Sequence, residues 1–240
     1  MRVVSLVPSA TETLLAWGVT PVAVTRFCEQ PELLHVGGTK DPDVAAVIAL
    51  APDLVVMCDE ENRREDANAL LAAGVPLHVF GIRTVADVGP ELAALAQRLA
   101  LDDISPVTLT AGAPSGRPAV SAFVPIWRER AGDGVAYRSL NDDTYGSSVL
   151  AALGVANVFG DAEDRYPAVT AAQVRDRAPS VVLAPSEPYP FGERHRAELS
   201  ALAPVVFVDG QDVFWWGVRT PAALARLGMA LQGVVAIEPL

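Results

Sequence analysis

The chain has 240 residues, which at a usual domain size of about 150 fits one large domain or two small lobes. Apolar types make up 51% of it and charged types 20%, a composition that builds a core and excludes a disordered chain. The 18 basic and 29 acidic residues leave a formal charge of −11, with Lys40 the single lysine, which argues against nucleic acid or an anionic membrane surface as partner.

Taken in chain order, residues 2–7 read as a buried strand, and Ser9 followed three residues later by Glu12 has the spacing of a capping box that opens a helix. Pro8, Ser9, Thr11 and Glu12 interrupt the apolar run, so it does not read as a signal peptide. As written the protein is expected in the cytoplasm; a longer true N-terminus would make it periplasmic or cell-surface. No apolar run reaches the length of a spanning helix. Further strands are expected at Val22–Thr25, Leu54–Met57 and Leu77–Phe80. A helix follows with Val85, Val88, Leu92, Leu95 and Leu99 at helical spacing, which Gly89 and Pro90 should interrupt or restart. Residues 102–118, rich in turn formers, read as a linker. Beyond it, strands are expected at Ala119–Val124, Asn157–Phe159, Val181–Ala184 and Val205–Val208.

The order of these elements repeats. APDLVVMCDE at 51–60 parallels APSVVLAPSE at 178–187, and SATETLLAWGV ending at Val19 parallels YGSSVLAALGV ending at Val155. Two related α/β lobes with parallel sheets follow, joined by a helical connector, with a cleft left between the lobes. Ligands of open parallel sheets gather beyond the carboxyl ends of the strands. Phe27, Tyr145, Tyr189, Phe191, Phe214, Trp215 and Trp216 fall in or beside the corresponding loops. Adjacent tryptophans in an extended segment point to opposite faces, so one of the pair should face the cleft.

The repeat also pairs Glu60 with Glu187, with Asp59 and Glu61 beside the first. These acids read as solvated loop charge, as docking groups for arginines of a symmetric partner, or as an acid–base pair for glycoside hydrolysis, and the residues alone leave the three open. Other catalytic constellations do not assemble. His35, His78 and His195 lack zinc-site spacing, and no GxSxG, Walker loop or GxGxxG follows a strand. Cys28 and Cys58 are too few for a disulfide framework and read as buried free thiols, with a metal site that adds a histidine as the lesser alternative.

RVVSLVPSATETLLAWGV, VAVTRFCEQP, DVAAVIALAPDLVV, SEPYPFGERH and VDGQDVFWWGVRT together resemble the class III substrate-binding proteins of ABC transporters, the helical backbone metal receptors. The vitamin B12-binding and iron-chelate-binding members resemble it most. The resemblance implies two Rossmann-like lobes bridged by a long helix, little hinge motion, and a cobalamin or metal chelate held between the lobes. It makes Pro8, Ser9, Asp59, Glu60, Tyr145, Tyr189, Trp215 and Trp216 the cleft lining and has Arg219 meet a carboxylate or phosphate of the ligand; Phe27, from the aromatic loops, and Glu187, from the repeat, join them as ligand-binding candidates. It also implies one glutamate per lobe that docks a permease arginine. In the first lobe that acid falls at Arg64, so Glu61 or Glu65 stands in; in the second it is Glu187 or Glu193.

The expectation is therefore an α/β chain with an N-terminal lobe at 1–83, a helical connector and linker at 84–118 and a C-terminal lobe at 119–240. Its function is to bind cobalamin or an iron or metal chelate, without catalysis and without a required cofactor or resident metal. A corrinoid or small chelate is the expected partner, with an ABC permease if the transporter role holds; nucleic acid and a membrane span are not expected, and the state is monomeric. The alternative is a cytosolic chaperone or enzyme that handles a tetrapyrrole or metal on the same scaffold without a permease.

Overall fold

The computed structural model describes residues 1–102, 104, 107, 120–132 and 134–232, so most of the expected linker lies outside the described residues. The chain divides into two compact units. The first is formed by Met1–Ile82, the described part of Ala86–Thr108, and Trp216–Arg219; the second by Arg83–Val85 and the described parts of Leu109–Trp215 and Thr220–Leu240.

The first unit holds strands β1 (Val3–Ser5), β2 (Ala23–Val24), β3 (Leu54–Cys58) and β4 (Leu77–Phe80) in one parallel sheet of order β2-β1-β3-β4. Its helices are α1 (Pro8–Ala16), α2 (Val44–Ala49), α3 (Arg64–Ala72) and α4 (Val85–Arg98), the last running on from the second unit. β1 and β3 are buried throughout, which is why they read as continuous apolar runs rather than alternating ones. Val4, Val55 and Met57 pack with Val47 of α2 and Leu70 of α3 in one core.

Two expectations need correction here. α1 starts at Pro8, with Val7 in the cap position and no side-chain cap. Ser9 therefore lies inside the first turn, and Glu12 is not the return half of a capping box. Proline supplies the start instead, because its fixed φ suits the first helical position and its missing N–H would have been unpaired there. The second correction concerns α4, which runs through Gly89 and Pro90 as one 14-residue helix of about 21 Å. Pro90 stands in the second turn, where losing one backbone hydrogen bond is tolerated beside a long buried stripe. Val85, Val88, Leu92, Leu95 and Leu99 are all buried, as their spacing predicts.

In the second unit β5 (Val120–Phe123), β8 (Val155–Asn157), β10 (Val181–Pro185) and β11 (Val205–Val208) form a parallel sheet of order β11-β10-β5-β8. With β5, β8, β10 and β11 standing for β1, β2, β3 and β4, this is the strand order of the first sheet. Register agrees too: Val55 faces Leu77 in one sheet, and Val182 faces Val205 in the other. The strained backbone recurs at the repeated residues. Ala51 and Ala178 have φ 45° and 46°, and Gly18 and Gly154, each ending a helix, have φ 74° and 71°. A left-handed residue just after a helix is the position glycine fills without a β-carbon penalty.

β8 ends where expected to begin, because the Asn157 carboxamide turns the chain: its Oδ1 accepts from Phe159 N, and its Nδ2 donates to Leu140 O and to Ser147 Oγ. The helices are α5 (Tyr145–Ala152), α6 (Ala171–Asp176), α7 (Arg196–Ser200), α8 (Gly210–Phe214) and α9 (Thr220–Gln232). This unit also carries an antiparallel sheet that the sequence reading did not foresee, β6 (Trp127–Ala131), β7 (Gly134–Arg138) and β9 (Ala168–Thr170), in the order β6-β7-β9. Its signal was the Gly-Asp-Gly at 132–134 between two short strand-like runs; Gly132 has φ 57°.

Candidate functional site

At the carboxyl edge of the first sheet the loops carry both exposed and pinned groups. Phe27, after β2, is 50% exposed, with the Arg26 guanidinium 4.8 Å from its ring centre and paired with Asp41 at 2.9 Å. After β3, Asp59 is exposed and Glu60 and Glu61 are half-buried. The Lys40 ammonium donates to the Glu60 carbonyl. Asn62, which the sequence reading missed, holds this edge together. Its Oδ1 accepts from Cys58 N at 2.8 Å, and its Nδ2 donates to Leu6 O and Thr39 O. It is a buried polar side chain with donors and acceptors spent on three separate segments, the end of β3 and the chain at Leu6 and Thr39.

Pro8 and Ser9 lie at this edge, buried in the first turn of α1. Trp216 and Arg219 belong to the same unit. Trp216 is 3% exposed and its ring lies 4.5 Å from that of Phe80. Arg219 Nε donates to Glu12 Oε2 at 2.7 Å, so the carboxylate it meets is the chain's own. Between them, Val218 N donates to Thr13 Oγ1. Gly217, at φ 119°, has no alternative residue type, since a β-carbon would run into Thr13 Oγ1.

Cys28 and Cys58 are both free and buried. Burial raises the Cys28 thiol, although its hydrogen bonds with Thr11 and Thr25 pull the other way. The Cys58 thiol is pushed up to about 12 by burial and by the charge of Glu61. Such thiols are poor nucleophiles at neutral pH. Among the described residues no group of three or more His, Cys, Asp or Glu side chains is placed to hold a metal ion.

In the second unit Tyr145 is also packed away: it is 6% exposed, with its hydroxyl 3.0 Å from Thr220 Oγ1. Glu187 is half-buried and backs on Gly210, whose amide donates to Ser186 Oγ; a β-carbon on Gly210 would overlap Glu187. Tyr189 is half-buried among Trp127, Phe191 and His195, with ring centres 5.6, 4.7 and 5.5 Å away. Glu193 is exposed and paired with Arg196 at 2.6 Å; Trp215 is half-buried. Glu65 is exposed in the first turn of α3, in the first unit. The structure thus leaves Phe27, Asp59, Glu60, Glu187 and Tyr189 with reachable surface in the loops that follow the strands of their own sheets, and Trp215 with reachable surface at the end of α8.

Below Tyr189 lies a network that sequence reasoning did not find. Arg128 reaches Glu198 with Nε at 3.0 Å and a terminal nitrogen at 2.6 Å, and the Tyr137 hydroxyl donates to the same carboxylate at 2.5 Å. The Arg128 guanidinium holds the Glu198 carboxyl below its usual range.

Two parallel sheets of one strand order, each offering its loops at the carboxyl edge, define a duplicated α/β fold. No family model matches the chain. It is 24% identical over 253 residues to a vitamin B12-binding protein of Pectobacterium carotovorum subsp. carotovorum (strain PC1), covering 99% of this chain and 90% of that one. Its fold matches the periplasmic vitamin B12-binding protein BtuF of Vibrio cholerae with a TM-score of 0.76 at 22% identity, over 97% of each chain. It likewise matches the periplasmic heme-binding protein BhuT in complex with two hemes, with a TM-score of 0.77 at 20% identity, over 98% of this chain and 99% of that one. The fold is that of the class III substrate-binding proteins of ABC transporters. Both solved relatives are periplasmic by name, so the expectation of a cytoplasmic protein gains no support from them. No helix among the described residues is long and apolar enough to cross a membrane.

Proposed function

We propose that this chain is a substrate-binding protein of an ABC-type transporter that takes cobalamin or an iron chelate, and that it does so without catalysis. The observation that carries this reading is the extent of the likeness to vitamin B12-binding proteins, which runs through both units rather than over one α/β half. Phe27, Asp59 and Glu60 in the first unit, and Glu187, Tyr189 and Trp215 in the second, are the residues through which it binds. Their mixture of aromatic surface and a few polar groups suits a large, flat, partly apolar ligand.

The chelate is cargo in this reading, and the protein requires no cofactor of its own. Its place of work is the periplasm or cell surface, where it acts as a monomer and delivers to a permease. Glu61 or Glu65 in one unit, and Glu187 or Glu193 in the other, meet the permease arginines; Glu193 exchanges Arg196 for that contact. The names of the relatives lend no support to a cytosolic chaperone or enzyme.

Calorimetric titration of the purified chain with cyanocobalamin, hemin and a ferric siderophore tests the proposal. Saturable binding of one equivalent of at least one of them is the expected result. Binding of none overturns it.

A further inference from the structure

We propose that Trp127 is a ligand-contacting residue and that it fits the site to a tetrapyrrole macrocycle rather than to a hydroxamate siderophore. This rests on the reading of the protein as a chelate receptor and narrows it. Trp127 opens β6 only four residues past the end of β5, which places it just beyond the carboxyl edge of the second unit's parallel sheet, where ligands of such sheets collect. The residue is 46% exposed, a large apolar surface left in water.

The ring stands on a fixed mount rather than on a free loop. Ile126 N donates to Arg138 O at 2.8 Å, and Trp127 itself faces Arg138 in the β6–β7 register. The next residue, Arg128, is held at two points by Glu198, which also takes the Tyr137 hydroxyl. Trp127 meets Tyr189 edge to face, at 5.6 Å and 77°. Tyr189 leans on Phe191, which is 6% exposed, so one aromatic cluster runs from the core to the exposed indole. A preorganised ring of this kind gains most from a second flat conjugated surface, because offset or edge-to-face contact adds to the area buried and little side-chain freedom remains to be lost. A macrocycle offers that surface. An iron trihydroxamate, with its polar shell and no ring, does not.

The test titrates wild type, Trp127→Ala and Trp127→Phe with hemin, cyanocobalamin and a ferric trihydroxamate, with urea unfolding midpoints measured alongside. The expected result is that wild type binds hemin or cyanocobalamin and that Trp127→Ala weakens that binding about tenfold or more. Trp127→Phe keeps it within about threefold, and the unfolding midpoints stay together. A macrocycle bound as tightly by Trp127→Ala as by wild type overturns this inference alone. So does a loss that accompanies a lowered midpoint and that phenylalanine does not restore, since it marks a structural role. A wild type that binds only the trihydroxamate overturns the inference and keeps the receptor reading; a wild type that binds none of the three overturns both.

Discussion

Arg219 and Glu12 stand 207 positions apart in the chain and meet at 2.7 Å within one unit, Nε of the arginine donating to the glutamate carboxylate. The arginine side chain is 13% exposed and the glutamate 35%, so the pair is shielded on one side only. Four residues from late in the sequence, Trp216–Arg219, thereby complete a unit built from its beginning. Arg219→Met is expected to cost about 1–2 kcal/mol in urea unfolding, an estimate lowered for the exposure of Glu12. Glu12→Gln, which keeps an acceptor, is expected to cost less. A change in ligand affinity with no change in stability would contradict the assignment.

The two tryptophans separate by the same reasoning. Trp216 is buried on Phe80, so Trp216→Ala removes a core side chain and is expected to cost about 3–5 kcal/mol. Trp215, half-buried in the second unit, is expected to tolerate alanine at a much smaller cost and to show its effect in ligand binding. Urea denaturation and titration of each single variant check both halves of the statement.

How much of this was legible in the sequence varies with the kind of interaction. The repeat at 51–60 and 178–187 was readable because buried parallel strands leave continuous Val-rich runs, and both copies became central strands of equivalent sheets. The helical spacing of Val88, Leu92 and Leu95 was readable for a similar reason. What escaped is long-range polar pairing. Ser9 and Glu12 have the spacing of a capping box, yet nothing local shows that Arg219 claims Glu12 while Pro8 starts the helix. The Asn62 Nδ2 bonds and the Arg128–Glu198–Tyr137 group likewise rest on partners 23 to 70 positions away. The β6-β7-β9 sheet was missed because its strands mix charged and apolar residues without a buried face in the pattern.

The thiols give a further check. Cys28 and Cys58 are free and buried, with both thiols raised, so a disulfide reagent at neutral pH is expected to react slowly with the folded protein. In denaturant, without any reductant, two equivalents should react at once. Rapid labelling of both in the folded state would contradict the burial described.

Stability should respond to pH through the Arg128–Glu198–Tyr137 group. Glu198 is held below its ordinary value of 4.5, first by Arg128, so its contribution is present above pH 4.5 and is lost as pH falls below that value. Tyr137 is raised above its ordinary value of 10.0, by burial and then by Glu198, so its contribution is present below pH 10.0 and is lost as pH rises past it. Glu198→Gln is expected to flatten the acid fall in unfolding free energy and Tyr137→Phe the alkaline one. Curves parallel to wild type at both ends would contradict the linkage.

Hydrogen–deuterium exchange of the purified chain, with and without saturating hemin or cyanocobalamin, asks most directly whether the carboxyl edges of both units hold the chelate. The account expects slowed exchange at residues 25–29 and 59–62 of the first unit and at 186–191 of the second. Protection confined to one unit, protection at the opposite strand ends near 51–53 and 178–180, or no protection at all would contradict it.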